Sequence, residues 1–120
     1  MKSEACVQQE IRLASANDGF MLWRNNSGAC KDLTGRLIRY GLGNDSTKIN
    51  AVMKSSDLIG VTNEGIFMAI EVKAEGWSFQ GNEREVAQLN FINKVTAMGG
   101  IAGFCTSVGD YRDLIEARRK

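Results

Sequence analysis

Apolar residues recur at helical spacing in three parts of the chain. The first part follows Ser3, a residue suited to cap a helix, and stops at Asp18-Gly19. The second follows Asn82, which stands three positions before Glu85 as in a capping box, and the third follows Ser107. The sequence therefore predicts helices over residues 3–17, from Asn82 to the Gly99-Gly100 pair, and after Ser107.

Strand-like patterns occupy most of the remaining chain. Residues 25–28 have the composition of a turn, and residues 41–56 form a long polar segment with two glycines, which predicts a loop that binds a ligand or moves. Residues 57–73 contain two apolar runs around a polar turn, which predicts a β-hairpin. The predicted strands are 20–24, 36–40, the two arms of that hairpin, and 101–107. The resulting order αββββαβα predicts an α/β or α+β fold in which helices flank a central mixed sheet.

Length and composition indicate a single domain. At 120 residues, the chain fits one domain, residues 1–120, with a sizeable core. No apolar stretch approaches the ~20 residues that span a bilayer, and the N-terminus lacks the apolar segment of a signal peptide. The three cysteines are odd in number and far apart, which fits free thiols in a reducing compartment. We therefore expect a cytoplasmic protein, in the host cytoplasm if its source is viral.

The residue types that are missing limit the chemistry. The chain has no histidine, which excludes Ser-His-Asp and Cys-His catalysis and histidine-based zinc sites. It also lacks the GxxxxGK[ST] motif of P-loop nucleotide hydrolases. Acid–base or metal chemistry would therefore rest on carboxylates, lysine, tyrosine or thiols. The net charge of +1 is low for a protein that coats DNA, although local basic patches are compatible with nucleic-acid binding.

The predicted hairpin carries charged residues where apolar residues would pack better. Because strand side chains alternate, Glu71 and Lys73 project to one side of the second arm, and Asp57 stands at the entrance of the first. A three-residue loop would place Asp57 opposite Glu71, whereas a two-residue loop would place the carboxylates diagonally. Neighbouring carboxylates repel each other and favour a bound cation such as Mg²⁺ or Mn²⁺. The alternative is a surface ion pair between Glu71 and Lys73, with Asp57 as a turn or cap residue.

Lys73 would stand beside such a cation, where an ammonium group can hold an attacking water or neutralise the charge of a phosphoryl transition state. The hairpin therefore predicts a metal-dependent phosphodiesterase centre. The chain resembles the PD-(D/E)xK nuclease superfamily and, within it, the virus-type replication-repair nuclease (VRR-NUC) branch. The resemblance extends from Glu10 to Ser107 and rests on DLIGV (57–61), FMAIEVK (67–73), QLNFINKV (88–95) and GGIAGF (99–104). It implies a restriction-endonuclease-like core.

Position by position, the resemblance also implies roles for individual residues. The metal, Mg²⁺ or Mn²⁺, would be held by Asp57, Glu71, the backbone carbonyl of Val72, and Glu10 in the first helix. The catalytic residues would be Asp57, Glu71, Lys73 as the catalytic lysine, and Gln88 at the start of the core helix. For Glu10 and Gln88 the alternative is a solvated helix face. Ser56 departs from the family pattern, which has a proline before the first catalytic aspartate.

The activity that the resemblance implies is endonucleolytic hydrolysis of phosphodiester bonds in structured DNA, with a 5′-phosphate product. Stand-alone members of this size look like homodimeric Holliday-junction resolvases, and a two-fold dimer suits a four-way junction. The alternatives within the enzyme class are a flap or nicking nuclease that acts as a monomer and a small restriction-like endonuclease. The alternative from another class is a catalytically idle DNA-binding module.

Seven polar or basic residues are predicted to contact DNA phosphates. They are Arg24, Asn25, Lys31, Arg36, Arg39, Lys48 and Lys54, which concentrate around the loop before Asp57. The alternative for each of them is an ordinary charged surface. Trp23 and Trp77 could stack on bases, but packing in the core or at an interface is the favoured role.

Overall fold

Helices flank a four-stranded mixed sheet in the computed structural model, which describes residues 1–119. In chain order the elements are α1 (Glu4–Asn17), β1 (Met21–Arg24), β2 (Gly28–Lys31), β3 (Leu37–Tyr40), α2 (Thr47–Val52), β4 (Leu58–Val61), β5 (Phe67–Val72), α3 (Glu83–Ala97), β6 (Ile101–Cys105) and α4 (Val108–Arg119). Over the described residues, four helices, this sheet and a separate two-stranded hairpin make an α+β fold.

The order of strands in the central sheet is β1-β4-β5-β6. The first three pair antiparallel, whereas β5 and β6 pair parallel, so α3 serves as the crossover between them. One face of the sheet, including Met68 and Ile70, packs against Val7, Ile11 and Tyr111 of α1 and α4. The other face lies against α3, which contacts β5 and β6. The mixed sheet with flanking helices is the predicted arrangement.

The predicted starts of the three helices are confirmed by their capping contacts. The Ser3 hydroxyl accepts a hydrogen bond from the N–H of Cys6 at 3.2 Å, and the Asn82 side chain accepts one from the N–H of Glu85 at 2.8 Å. Ser107 accepts one from the N–H of Asp110 at 3.0 Å, one residue before α4 begins. Polar side chains therefore satisfy N–H groups that the first turn of each helix leaves without a helical partner.

Residues 28–31 correct the sequence interpretation. The sequence predicts a turn over residues 25–28, but Gly28–Lys31 is the strand β2, which pairs antiparallel with β3. The two strands form a hairpin outside the central sheet, so the predicted strand 36–40 exists but does not join that sheet. The physical reason lies across the strands: the ring of Tyr40 covers Gly28, where an added Cβ would lie 2.6 Å from the Tyr40 hydroxyl oxygen. Gly28, which the local composition assigns to a turn, is therefore a strand residue on which the ring of Tyr40 packs.

The predicted loop 41–56 also contains regular structure. The Ser46 hydroxyl accepts a hydrogen bond from the N–H of Ile49 at 3.1 Å and caps the short helix α2. α2 packs against α3, and the Asn90 side chain donates a hydrogen bond to the carbonyl of Val52 at 2.7 Å. A six-residue helix is too short to be stable alone, so these tertiary contacts explain why its apolar pattern did not reveal it.

The register of the β4–β5 hairpin decides how its charged residues meet. Leu58 pairs with Ile70 and Val61 with Phe67, and the N–H of Thr62 donates to the carbonyl of Ile66 at 2.9 Å. Residues 63–65 therefore form the loop, the longer of the two considered, and its last residue, Gly65, has a φ of 79°. One position beyond the Leu58–Ile70 pair, the same register places Asp57 opposite Glu71.

None of the helices within residues 1–119 is both long and apolar enough to cross a bilayer.

Candidate active site

Asp57 and Glu71 lie side by side at the end of the β4–β5 hairpin. The N–H of Asp57 donates a hydrogen bond to Oε2 of Glu71 at 3.2 Å. In return, the N–H of Val72 donates to Oδ2 of Asp57 at 3.0 Å. Each carboxylate is thus bound by the backbone of the strand that carries the other, which fixes both groups on the sheet.

Glu71 is almost completely buried, with 3% of its surface exposed, whereas Asp57 is half-buried. Burial and the neighbouring charge of Asp57 raise the pKa of Glu71 to about 9, although Lys73 acts in the opposite direction. At neutral pH Glu71 therefore holds a proton when no cation is present. This is the outcome expected for a buried carboxylate that lies beside a second carboxylate.

Gln88 connects Glu71 to Lys73. Its Nε2 donates a hydrogen bond to Oε1 of Glu71 at 2.9 Å, and its Oε1 accepts one from Nζ of Lys73 at 3.0 Å. The amide is buried in the second turn of α3, where it faces the sheet. The partners fix the orientation of the amide. The Lys73 ammonium can only donate, so it must face the amide oxygen, and the amide NH₂ then donates to Glu71. Gln88 is therefore not on a solvated helix face.

An aromatic cluster covers the other side of Lys73. The Nζ atom lies 5.5 Å from the centre of the Trp77 ring and 5.9 Å from that of Phe104, within the range of cation–π attraction. The two rings are tilted with centroids 4.9 Å apart, and Nε1 of Trp77 donates a hydrogen bond to Oε2 of Glu85 at 3.0 Å. Trp77 packs as predicted, but its contact with Lys73 was not visible in the sequence. Trp23, by contrast, leaves 51% of its surface exposed on β1.

A polar cleft of about 270 Å³ lies beside the two carboxylates and is lined by Asp57, Glu71 and Gln88. Three of the seven predicted DNA-contacting residues, Asn25, Arg39 and Lys54, also line it. The other four, Arg24, Lys31, Arg36 and Lys48, are exposed but do not line this cleft. The carboxylates and part of the predicted basic surface thus meet in one place.

Asn25 helps to shape the cleft wall. Its side-chain NH₂ group donates hydrogen bonds to the Ser55 hydroxyl at 2.8 Å and to the Ser56 carbonyl at 2.9 Å. Its backbone N–H donates to the carbonyl of Asp57 at 2.6 Å, and its Oδ1 accepts from the N–H of Leu42 at 3.2 Å. Asn25 therefore fastens the end of β1 to the segment that presents Asp57, which is a structural role in addition to the predicted contact with DNA.

Glu10 is placed differently from the other predicted ligands. Its carboxylate forms an ion pair with Nζ of Lys2 at 3.0 Å. Within residues 1–119, no group of three or more His, Cys, Asp or Glu side chains is arranged to hold a metal ion, so Glu10 does not form such a group with Asp57 and Glu71. Its part in a metal shell stays a prediction.

Asn44 and Arg84 are among the cleft residues that the sequence did not predict. Asn44 is buried and donates hydrogen bonds to the carbonyls of Gly28 and Tyr40 at 2.8 and 3.0 Å, so it braces the base of the β2–β3 hairpin. Arg84 lines the cleft from the first turn of α3. Its position four residues before Gln88, hence on the same helix face, is the signal that could have identified it.

Comparisons with protein-family models, with curated proteins and with solved structures each found no match for this chain.

Proposed function

We propose that this protein is a divalent-metal-dependent DNA endonuclease of the VRR-NUC type, with a restriction-endonuclease-like core. The observation that carries the proposal is the pair of opposed carboxylates, Asp57 and Glu71, joined through Gln88 to Lys73. A surface ion pair would not need a buried Glu71 or a buried amide between the two charges. Asp57, Glu71 and Gln88 also line one polar cleft that contains basic side chains.

The donor set fits Mg²⁺ or Mn²⁺. Both are hard cations that prefer carboxylate oxygens, and Mg²⁺ is commonly held by one or two carboxylates with water and substrate phosphate completing the shell. Asp57 and Glu71 supply such a pair, and the charge of Asp57, which after burial is the next cause of the raised pKa of Glu71, would also attract a cation. Either ion would be held by the two carboxylates and, as the resemblance implies, by the Val72 carbonyl.

A bound Mg²⁺ would lower the pKa of a water and offset charge on the scissile phosphate. The protein residues act around it. Gln88 binds the Lys73 ammonium, and the rings of Trp77 and Phe104 lie within cation–π distance of it and limit its movement. Lys73 is thereby placed to orient the attacking water and to stabilise negative charge as the bond to the 3′-oxygen breaks.

The proposed substrate is branched DNA and the proposed assembly is a homodimer. Two active sites related by a two-fold axis can cut two strands of a four-way junction, which one site cannot do in a single encounter. Asp57 is half-buried and lines the cleft in which a DNA strand would bind.

The test is cleavage of a labelled four-way junction beside linear duplex, single-stranded and flap DNA, each with Mg²⁺, Mn²⁺ or EDTA. We expect paired cuts in the junction that require the metal and are lost in Lys73→Ala. Lys94→Ala is the matched control, because Lys94 is an exposed lysine on α3 that does not line the cleft.

The other outcomes separate the alternatives. Metal-dependent cutting of the flap or single strand alone would retain the nuclease and reject the resolvase. No cutting of any substrate by a folded protein, with tight binding of the junction, would reject the nuclease in favour of a DNA-binding module.

A further inference from the structure

Three cationic side chains from three different elements line the cleft. Arg39 comes from β3, Lys54 from the segment between α2 and β4, and Arg84 from the first turn of α3. Within the described residues, the ion pairs are Lys2–Glu10 and Arg112–Asp18, so none of the three cations is neutralised by a carboxylate. The cleft thus gathers positive charge beside the proposed catalytic carboxylates.

Two of these cations are already held by neutral side chains. Arg39 donates to Oδ1 of Asn44 at 3.3 Å and also contacts the Thr47 hydroxyl, and Lys54 contacts Oδ1 of Asn50. Arg84 differs, because it is exposed and has no hydrogen bond or ion pair among the residues that the structure describes. Its five N–H donors are free to bind a ligand.

The helix places Arg84 next to the proposed catalytic residues. Residues four apart on an α-helix have Cβ atoms about 5–6 Å apart on one face, so Arg84 lies one turn before Gln88, which binds Glu71. The neighbouring acids, Glu83 and Glu85, lie on other faces of the helix, because each is about 100° away from Arg84 around the helix axis. Glu85, in particular, is bound by Trp77, Gln80 and Gly81.

Arg84 also occupies a helix position that is electrostatically unfavourable for a cation. The first turn of a helix carries partial positive charge, so an arginine there is repelled and an anion is attracted. The N–H of Lys54 donates to the carbonyl of Ala87 at 3.0 Å, which fastens the segment that carries Lys54 to the same helix, and both cations line the cleft. A phosphate bound by Arg84 in this cleft would offset that repulsion.

We propose that Arg84 is a substrate-positioning residue that binds a backbone phosphate of the DNA strand being cut, adjacent to the scissile phosphate. The inference rests on the proposed nuclease function and adds a contact that the sequence resemblance does not assign. Arginine suits this contact because its planar fork can bind two phosphate oxygens at once.

The test compares Arg84→Ala and Arg84→Lys with Arg12→Ala. Arg12 is the matched control, an exposed arginine on α1 that does not line the cleft. DNA affinity is measured against salt concentration in the Asp57→Asn background, where no cleavage occurs, and kcat and KM are measured with Asp57 intact. Urea denaturation checks that each variant is folded.

We expect Arg84→Ala to weaken DNA binding about tenfold, the loss typical of one charge-assisted hydrogen bond. The slope of log affinity against log salt should fall by about 0.7–0.9, which corresponds to one phosphate contact. Arg84→Lys should keep the slope, Arg12→Ala should change neither quantity, and KM should rise more than kcat falls.

An unchanged salt slope in Arg84→Ala, or the same loss in Arg12→Ala, would overturn the assignment even if the protein proves to be a nuclease. The binding measurement does not need cleavage. Failure of the nuclease proposal, seen as no cutting by the unmodified protein, is therefore distinguishable from failure of the Arg84 contact.

Discussion

Oε2 of Glu71 accepts a hydrogen bond from the N–H of Asp57, so the more buried carboxylate is bound by the backbone of the residue whose charge repels it. Because of this proximity and its burial, the ionised form of Glu71 is unfavourable unless its charge is neutralised. Glu71 either holds a proton or shares a cation with Asp57, and both states have consequences that can be measured without any knowledge of the substrate.

The first prediction concerns the pH dependence of stability. Glu71 has a pKa raised from the ordinary value of 4.5 to about 9 in the folded protein, so between these values the folded state binds a proton that the unfolded state has lost. The free energy of unfolding should therefore fall as pH rises through this window, with a slope approaching about 1.4 kcal/mol per pH unit. Urea denaturation followed by tryptophan fluorescence from pH 5 to 9 measures it.

Glu71→Gln is the companion variant. It keeps the shape of the side chain and removes the titration, so it should flatten the pH dependence between pH 5 and 9. An equally steep loss of stability in Glu71→Gln would assign the pH dependence to other groups.

The second prediction concerns divalent cations. Mg²⁺ or Mn²⁺ competes with the proton on Glu71, so either ion should raise the unfolding temperature, and the increase should grow as pH rises from 6 to 8. Asp57→Asn should abolish the increase because it removes one of the two carboxylates. Glu10→Gln tests the remaining predicted ligand, and an undiminished increase in that variant would exclude Glu10 from the shell. Differential scanning fluorimetry is sufficient for all three proteins.

Much of this site could be predicted from the sequence because it is local to one hairpin and one helix. The apolar alternation around Asp57 and Glu71 brings the two acids to one end of the hairpin, and the choice of loop length then decides whether they meet directly. For Arg84 the spacing to Gln88 was the only sequence signal, since the cleft that it lines is built partly by the short helix α2, which the sequence did not predict. Strand β2 was missed for a similar reason, since its sequence, GACK, becomes a strand through pairing with β3.

The third prediction concerns Gln88. Its replacement by leucine leaves Oε1 of Glu71 and Nζ of Lys73 without their shared partner in a buried site. Gln88→Leu should therefore lower the free energy of unfolding by about 1–3 kcal/mol. It should also reduce kcat more than it raises KM if Lys73 acts in the transition state. Asn93→Leu, at an exposed position on α3, is the control, and an equal loss of stability there would indicate a general effect on the helix.

The fourth prediction separates the two contacts of Trp77. Trp77→Phe keeps a ring near Lys73 but removes the hydrogen bond to Glu85, whereas Trp77→Leu removes both. We expect Trp77→Leu to be the less stable of the two by about 0.5–1 kcal/mol, the contribution of a cation–π contact. Urea denaturation followed by circular dichroism measures the difference. Equal stability of the two variants would show that the ring does not restrain Lys73.

The last prediction concerns Ser56, which stands where the nuclease pattern has a proline. Its hydroxyl oxygen is buried and has no hydrogen-bond partner among the described residues, which is a cost that the folded protein carries next to Asp57. Ser56→Ala should therefore be neutral or raise the free energy of unfolding by up to about 1 kcal/mol. Ser55→Ala is the matched control, because Ser55 accepts a hydrogen bond from Asn25 at 2.8 Å and its loss should destabilise the protein. A destabilised Ser56→Ala would contradict this prediction. It would mean that the hydroxyl has a partner in solution, such as a buried water, which supports the backbone before Asp57.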